Sequence, residues 1–309
     1  MLHFVTLFDS LYLPQGLNLY QSMQRHLDSF TLWILCIDDV TFDVLDELKL
    51  SNAKLLRLSE LETPELRSVK STRTKAEYCW TLTPFAPRFV FEADTTIKQV
   101  TYVDADLWFR KSPLAVFEEF EASGKSVLIT DHAYAPEYDQ STTSGQYCVQ
   151  FMVFSKGRGE LVRKWWEERC IEWCYARFEN GLFGDQKYLD DWPTRFKNEV
   201  HVMSAQHLVL APWNMSRFPY SAAFAVHLHG LKISQHLKTY LPIAYTIPHA
   251  TDVHVYTPYK NDLKKSFAML ASVKFLVRSQ LNVKDYWVNF IKLIIKSIFP
   301  QKIYQWTRR

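Results

Sequence analysis

Continuous apolar runs alternate with helical patterns in the first part of the chain. Apolar residues dominate LHFVTLF (2–8), FTLWILCIDD (30–39) and AKLLRLS (53–59), whereas LNLYQSMQRHL (17–27) repeats them at helical spacing. A continuous run is typical of a strand that is buried on both faces, and strands separated by helices form parallel sheets. The pattern therefore predicts an α/β fold, with a mostly parallel sheet that is covered by helices on both faces.

The same alternation continues to about residue 230. The segment 71–92 predicts a long helix that is kinked at Pro84 and Pro87, and 160–178 predicts a second long helix. Further buried strands are predicted at IKQVTYVDAD (97–106), KSVLITDH (125–132), YCVQFMVF (147–154), VHVMS (200–204) and FAVHLHG (224–230).

The C-terminal part of the chain differs from the rest in charge. Residues 265–309 contain nine Lys or Arg and one Asp, a net charge of +8, which leaves −5 for residues 1–264 because the whole chain carries +3. Within this part, VKDYWVNFIKLIIKSIF (283–299) has the pattern of an amphipathic helix. We therefore predict a main domain at 1–260 and a basic, amphipathic helical extension at 261–309.

A basic amphipathic helix that contains tryptophan suits an anionic membrane surface. Packing on the core or in a dimer interface is the alternative that the pattern leaves open. The sequence shows neither the pattern of a secretory signal nor a run of about 18 apolar residues, so we expect neither a cleaved signal nor a membrane-spanning helix. The extension therefore predicts a protein that associates peripherally with the inner face of the plasma membrane.

The composition narrows the class of protein. The chain is 48% apolar and 22% charged, as expected of a folded globular protein. Its five cysteines are odd in number and lack paired metal spacing, which indicates a reducing, cytoplasmic environment. The mildly acidic main domain argues against nucleic acid as a partner.

Two carboxylates follow a buried strand in TYVDADLWFR (101–110). Along a strand, Asp104 and Asp106 point to one side and Ala105 to the other. At the carboxyl end of a parallel strand that side faces the ligand crevice. Neighbouring carboxylates repel each other unless a cation lies between them, so the pair predicts Mn²⁺ or Mg²⁺ that also binds phosphate. A pair of solvated turn aspartates is the alternative.

A histidine pair in VHLHG (226–230) offers a third ligand. His227 and His229 share one strand face, and imidazole beside two carboxylates suits Mn²⁺ better than Mg²⁺. A histidine that is hydrogen-bonded in the core is the alternative. Gly230 permits close backbone approach and Lys232 adds positive charge, so this segment is predicted to lie near phosphate.

Taken together, these segments resemble the glycogenin-like retaining glycosyltransferases of the GT-A fold and related bacterial nucleotide-sugar transferases. The resemblance covers about residues 1–235. FVTLFDSLY (4–12) is similar to the strand and loop that hold the nucleobase and ribose in that family. TRTKAEYCWTLTP (72–84) is similar to the helix whose basic residue approaches the donor. The donor contacts implied by these two segments are Thr6, Leu7, Asp9, Tyr12 and either Arg73 or Lys75.

The resemblance also implies the reacting centre. FGDQKYLDDW (183–192) is similar to the family's Asp-Gln segment beside the anomeric carbon, and this similarity makes Asp185 and Gln186 the catalytic candidates. A helix N-cap is the alternative role of Asp185. VDAD matches the metal motif, and VHLHGLK resembles the His-x-x-Gly-x-x-Lys element. The implied metal ligands are Asp104, Asp106 and His227, with His229 as a rival, and the further donor contacts are Ala105, Gly230 and Lys232.

The sequence departs from the family at two places. One residue is missing between Gly230 and Lys232, and Ile233-Ser234 replaces the usual Pro-Trp. The strand at 147–154 has Cys148 and Gln150 in place of an Asn-x-Gly pair, which affects the acceptor side.

The resemblance implies a metal-dependent, retaining transfer of a sugar from a nucleotide-diphosphate donor, such as a UDP-sugar. The acceptor would be a glycan or glycolipid in bacterial surface polysaccharide or lipopolysaccharide assembly. Two alternatives remain: a nucleotidyltransferase or nucleotide-sugar hydrolase on the same fold, and a non-catalytic sugar-nucleotide-binding subunit.

Overall fold

The computed structural model describes residues 1–241 and 244–281. Its strands are β1 (Leu2–Phe8), β2 (Phe30–Cys36), β3 (Ala53–Arg57), β4 (Gln99–Val103), β5 (Leu107–Phe109), β6 (Val127–Asp131), β7 (Tyr147–Ser155), β8 (Val200–Val202), β9 (Val209–Leu210), β10 (Ala225–His227), β11 (Lys232–Ile233) and β12 (Thr239–Tyr240).

Seven strands form the main sheet in the order β3–β2–β1–β4–β7–β6–β8. The pairings are parallel except for those of β7, which runs antiparallel to both β4 and β6. A small sheet with the order β5–β10–β9 stands beside it, and β11 pairs with β12. The predicted α/β class with a mostly parallel sheet is confirmed.

Helices cover both faces of the main sheet. They are α1 (Leu13–His26), α2 (Asp39–Leu48), α3 (Leu58–Leu61), α4 (Pro64–Lys70), α5 (Lys75–Leu82), α6 (Phe85–Ala93), α7 (Leu114–Ser123), α8 (Ser141–Ser144), α9 (Arg158–Glu172), α10 (Trp192–Arg195), α11 (His249–Thr251) and α12 (Thr257–Ser272). Short 3-10 segments occur at Pro136–Tyr138, Gln186–Asp191 and Gln206–Leu208, and a π-helical turn, Asp252–Tyr256, links α11 to α12.

The two faces of the sheet explain the continuous apolar runs. Phe4 and Val5 are neighbours on β1, both are fully buried, and they belong to different hydrophobic clusters. Phe4 packs in the cluster that includes Leu17 of α1, and Val5 packs in the cluster that includes Phe89 of α6 and Trp166 of α9. Since neither face of the strand meets water, neither face needs polar residues.

The predicted long helix at 71–92 is two helices. The first, α5, begins at Lys75 because Thr74 and Glu77 form a capping box, in which the Glu77 carboxylate accepts from the Thr74 amide at 2.8 Å. It ends before Pro84, which has no N–H to continue the helical ladder, and α6 then starts at Phe85. Pro87 is tolerated because it lies in the first turn of α6, where amides lack intrahelical partners.

Helix α12 packs along α1 and crosses the predicted domain boundary between residues 260 and 261. Arg25 of α1 forms an ion pair with Asp262 of α12 at 2.5 Å, and the same carboxylate accepts from Trp108 Nε1 at 3.0 Å. The helix is therefore continuous with the main domain, and the division at residue 260 stays a prediction. The amphipathic segment 283–299 lies outside the described residues.

Among the described residues, none of the helices has both the length and the apolar character that a membrane span needs.

Candidate functional site

The acidic pair lies in a turn, not on the strand where the sequence analysis put it. Strand β4 ends at Val103, and the Leu107 amide donates to the Asp104 carbonyl at 3.1 Å. The chain turns here because β5 leaves the main sheet and pairs with β10 instead. Ala105, between the two acids, is buried. The turn still brings both carboxylates to the carboxyl edge of the sheet, where the prediction located them.

The pairing of β5 with β10 determines which histidine joins the acids. His227 is opposite Leu107 in this ladder, directly after Asp106. Its Nε2 lies 3.1 Å from Asp106 Oδ1 and 3.6 Å from Asp104 Oδ2. One ligand atom from each of the three residues lies within 4.8 Å of the others. Two carboxylate oxygens and an imidazole nitrogen at this spacing fit a divalent cation such as Mn²⁺.

Buried side chains hold this group of three in place. Gln150 of β7 is fully buried, and His227 Nδ1 donates to its Oε1 at 2.8 Å, which turns Nε2 toward the acids. Tyr102, two residues before Asp104 on β4, donates its hydroxyl hydrogen to Asp104 Oδ1 at 2.9 Å. Partners of this kind orient metal ligands and keep them in one rotamer.

The charges of the group depend on one another. Burial, together with the neighbouring charge of Asp106, raises the pKa of Asp104 against the opposing effect of His227. Burial also disfavours a charged Asp106, but the adjacent imidazolium lowers the pKa of Asp106 below its ordinary value. Although burial alone would lower it, the two acids raise the pKa of His227. The imidazolium of His227 therefore supplies positive charge beside the two acids, and a divalent cation bound at this point would do the same.

Asp185 is a second buried acid near the group. It precedes the 3-10 segment Gln186–Asp191, but its side chain makes no capping hydrogen bond, so the N-cap role is not observed. The residue is 2% exposed, and its Oδ2 has no hydrogen-bond partner within the described residues. Burial, followed by the charge of Asp104, raises the pKa of Asp185 to about 7. Gln186 points elsewhere, since its Nε2 donates to the Ser144 carbonyl at 2.6 Å.

The loop after β1 carries the predicted nucleobase contacts. Thr6 and Leu7 are buried at the end of the strand, and Tyr12 is 41% exposed. Asp9 Oδ1 accepts from the amides of Leu11 at 3.0 Å and Tyr12 at 3.2 Å, which closes the loop into an Asx turn.

The two basic candidates of the next segment have different environments. Lys75, in the first turn of α5, pairs with Asp9 and lies 3.5 Å from Asp38, and 59% of its side chain is exposed. Arg73 is buried, donates to Thr81 Oγ1, and donates to the Ile171 carbonyl at 2.7 Å. Lys75 therefore lies at the loop after β1, whereas Arg73 ties α5 to α9.

The segment after β10 leads to the predicted diphosphate contact. His229 is exposed, and its ring centroid lies 5.4 Å from that of His227, outside the group of three. The chain then turns at Gly230, whose φ of +70° lies in the left-handed region that favours glycine. The Leu231 amide donates a hydrogen bond of 3.0 Å to the Leu228 carbonyl, which closes the turn. Strand β11 then begins at Lys232.

Aromatic rings flank the histidine side of the site. The buried Trp213 ring lies 5.5 Å from His227 and 5.3 Å from His229, edge-on to both. Tyr134 and Tyr245 are half-buried and lie 6.2 and 6.4 Å from Trp213 between ring centroids.

The sequence analysis named Gln150 only as a departure from the family on the acceptor side, not as the partner of His227, and it did not predict Tyr102 as part of the site. Each left a signal in the sequence. Gln150 is a polar residue in the middle of a strand that is otherwise buried and apolar. Tyr102 lies two positions before Asp104, and residues two apart along a strand point to the same side. Such positions need a partner, and here the partner is a metal-ligand candidate.

Comparison with known proteins identifies relatives of the chain. It is 30% identical to the uncharacterized protein YfnD of Bacillus subtilis (strain 168) over 220 residues, which cover 70% of each chain. It is also 30% identical to the uncharacterized protein YfnF of the same organism over 216 residues, or 68% of this chain and 71% of YfnF. The chain belongs to the family of YfnD and YfnF. No protein-family model matches the sequence of this YfnD-family member.

Solved structures show the fold of this YfnD-family chain. The galactosyltransferase LgtC, solved with donor and acceptor sugar analogs, has a TM-score of 0.51 at 10% identity and covers 85% of this chain and 96% of its own. The glycosyltransferase GlyE of Streptococcus pneumoniae TIGR4 has a TM-score of 0.50 at 13% identity, over 92% of this chain and 67% of its own. The bifunctional glycosyltransferase WbbM has a TM-score of 0.51 at 11% identity and covers 86% of this chain and 49% of its own. The predicted GT-A fold is confirmed.

Proposed function

We propose that this YfnD-family protein is a metal-dependent, retaining glycosyltransferase that uses a nucleotide-diphosphate sugar, most simply a UDP-sugar. The observation that carries the proposal is the grouping of Asp104, Asp106 and His227 at the carboxyl edge of a GT-A sheet, with the buried Asp185 close by. A sugar-nucleotide transfer needs two things at one place. These are positive charge for the departing diphosphate and a carboxylate for the developing positive charge on the sugar.

The group of three would hold the cation. A divalent cation bound there supplies Lewis-acid stabilisation of the diphosphate. Asp104 and Asp106 contribute the oxygen ligands, and Gln150 keeps His227 Nε2 directed at the same point. His229 is exposed beside this group, and we propose His227 as the ligand because its Nε2 already contacts the acids.

The nucleotide would lie between two segments of the chain. Thr6, Leu7, Asp9 and Tyr12 would hold the base and ribose, with the exposed ring of Tyr12 available for stacking. Lys75, whose ammonium group contacts Asp9, would move to the donor when it binds. Gly230 allows the backbone to approach the diphosphate, and Lys232 would add a second positive charge at its oxygens.

Asp185 would face the anomeric carbon. A carboxylate with an unpartnered oxygen, enclosed by protein, stabilises an oxocarbenium-like centre more strongly than a solvated one. Gln186 is held against Ser144 by its amide group, so we assign it to shaping the pocket wall. Retention of the anomeric configuration follows if Asp185 shields the face of the sugar opposite the departing diphosphate, so that the acceptor attacks from the face that the diphosphate leaves.

The acceptor would enter on the aromatic side of the site. The rings of Tyr134, His229 and Tyr245 offer partly exposed faces near the ligand group, and aromatic faces pack well against sugar rings. We therefore propose a glycan or lipid-linked glycan acceptor. The protein would then take part in the assembly of a bacterial surface polysaccharide or lipopolysaccharide at the inner face of the plasma membrane. The basic residues after 264 would bind the anionic membrane surface.

We expect one UDP-sugar of a panel to raise the melting temperature of the full-length protein when Mn²⁺ is present, and not in EDTA. With that donor, product analysis should detect UDP, and UDP release should increase when the glycan acceptor is added. NMR of the product should show the anomeric configuration of the donor. Release of UMP and a sugar 1-phosphate would instead indicate hydrolysis of the diphosphate, and no Mn²⁺-dependent stabilisation by any nucleotide sugar would contradict the proposal.

We expect Gln150→Leu to weaken Mn²⁺ binding by about 10–100-fold, the usual effect of losing a partner that orients a ligand. The reason is that His227 Nδ1 loses its acceptor and the ring loses its fixed direction. Leucine keeps the side chain's size in a fully buried position, and Gln150 Nε2 has no partner to lose among the described residues.

Calorimetric titration of Mn²⁺ into the full-length protein measures this effect. Ser155→Ala, at the far end of the same strand, is the matched control and should bind Mn²⁺ as the wild type does. An unchanged affinity of Gln150→Leu for Mn²⁺ would show that Gln150 does not orient the metal ligand.

A further inference from the structure

The chain returns to the donor side of the molecule after α12. The helix ends at Ser272, and the following segment, residues 273–281, reaches the loop after β1 and the strand β11. Leu281 is buried at the end of this segment. The predicted domain boundary at residue 260 would assign these residues to the extension, yet they contact the predicted donor site.

Gln280 makes the contacts. Its backbone amide donates to the Ile233 carbonyl at 2.9 Å, and its side-chain Oε1 accepts from the Ile233 amide at 2.9 Å. Oε1 also accepts from Gln15 Nε2 at 2.9 Å, and Gln280 Nε2 donates to the Leu11 carbonyl at 3.0 Å. One side chain therefore joins three separate parts of the chain.

Two of the three parts are proposed to hold the donor, and the third directly follows one of them. Leu11 lies inside the Asx turn of Asp9, in the loop for the base and ribose. Ile233 directly follows Lys232, the proposed diphosphate contact, on β11. Gln15 is 1% exposed in the first turn of α1, which follows that loop. Gln280 thus joins the loop proposed for the base to the strand proposed for the diphosphate.

The chemistry of the contact requires an amide of this length. The oxygen accepts two N–H groups while the nitrogen donates to a carbonyl, which a carboxylate has no hydrogen to do at neutral pH. Asparagine is one methylene shorter, and alanine leaves the buried Gln15 amide and the Ile233 amide without this acceptor. Glutamine is therefore the residue type that satisfies all three contacts.

We propose that Gln280 is a positioning residue of the donor site, which holds the nucleobase loop and the Lys232 strand at the separation that a nucleoside diphosphate spans. This inference rests on the proposed function. The hydrogen bonds of Gln280 go to Ile233, Gln15 and Leu11 and not to the ligand group or Asp185, so it acts through Leu11 and Ile233. Its loss should weaken binding of a ligand that needs both segments more than binding of a ligand that needs one.

The test measures how tightly UDP and UMP, each with Mn²⁺, bind to the full-length variants Gln280→Ala and Gln280→Glu. We expect both variants to bind UDP about 10-fold more weakly than the wild type, about 1.4 kcal/mol. We also expect the preference for UDP over UMP to shrink, because UMP makes fewer contacts on the Lys232 side. Binding of Mn²⁺ alone should be unchanged. Ser279→Ala, the neighbouring residue of the same segment, is the matched control and should keep the wild-type preference.

Hydrogen exchange provides a second readout that requires no ligand. In the Gln280 variants, peptides that cover residues 9–12 and 231–234 should exchange faster, whereas the strands of the main sheet should keep their protection. A wild-type preference for UDP over UMP in both variants would overturn the inference and leave the proposed function standing. Failure of the wild-type protein to bind UDP with Mn²⁺ would overturn the proposed function, and the inference with it.

Discussion

We expect Asp104→Asn and Asp106→Asn each to reduce Mn²⁺-dependent turnover of the sugar donor by about 10²–10³-fold, the effect of losing one strong electrostatic stabiliser. Asparagine keeps the shape of the side chain but removes the negative charge that pairs with a cation. In the structure, both carboxylates lie within 4 Å of His227 Nε2, at 3.6 and 3.1 Å. The loss should therefore fall on metal affinity and turnover together.

The fold should survive both substitutions, because asparagine leaves the backbone hydrogen bonds of the turn in place, including those of the Asp104 amide to the Gln150 carbonyl and of the Leu228 amide to the Asp106 carbonyl. Circular dichroism and melting temperature check this. Asp46→Asn, an exposed acid on α2 that pairs with Lys49, is the matched control and should turn over donor as the wild type does. Full activity of both site variants in EDTA would rule out metal dependence at this turn.

The second large effect is expected from Asp185→Asn. We expect turnover to fall by about 10²–10³-fold while UDP still binds with Mn²⁺, because the substitution removes the carboxylate that we propose faces the sugar and leaves the group of three intact. Single-turnover assays with the identified donor measure the chemistry, and calorimetry with UDP measures binding. Equal losses in turnover and in UDP affinity would instead place Asp185 among the nucleotide contacts.

The same variant should be more stable than the wild type at alkaline pH. Burial and the charge of Asp104 raise the pKa of Asp185 to about 7 in the folded protein, above its ordinary value near 3.8. The unfolded state therefore binds fewer protons between these two pH values, and the wild-type free energy of unfolding decreases as pH rises through that range. Asparagine does not titrate, so we expect Asp185→Asn to gain about 2–4 kcal/mol over the wild type at pH 8.

Melting in EDTA at pH 4 and pH 8 measures this difference, which should nearly vanish at pH 4, where the wild-type side chain is protonated. Glu172→Gln, an exposed acid at the end of α9, is the control and should show no comparable gain. A less stable Asp185→Asn at pH 8 would indicate that the carboxylate stabilises the local backbone instead.

Much of the fold follows from hydrophobic pattern because the sheet is covered on both sides. A strand buried on both faces, such as β1, needs a continuous apolar run, and such runs are easy to recognise. Asp104, Asp106 and His227 were also predicted as one group, since acids after a strand and a distant histidine are chemically distinctive. Chemistry and pattern therefore located the candidate cation site.

The details that depend on register were not predictable in the same way. The two acids were expected on the strand, but they lie in a turn because β5 leaves the main sheet. Whether His227 or His229 meets them depends on the pairing of Leu107 with His227, a contact between distant segments. Local pattern carries no information on such pairings, so both histidines stayed candidates in the sequence.

Contacts from the end of the chain were the least predictable. Gln280 bonds to Gln15 across 265 positions and to Leu11 across 269. A single glutamine in a polar segment has no local pattern that would single it out. The same is true of Asp262, which links α12 to Arg25 and Trp108 and ties this helix to the strand that follows the acidic turn.

The central claim is that Asp104, Asp106 and His227 share one cation that binds a diphosphate. An anomalous difference map from crystals grown with Mn²⁺ and UDP tests it most directly. The account predicts one manganese peak between the three side chains, with diphosphate oxygens in its remaining coordination positions. A map in which that turn carries no peak, or in which manganese is bound elsewhere while UDP occupies the site, would contradict it.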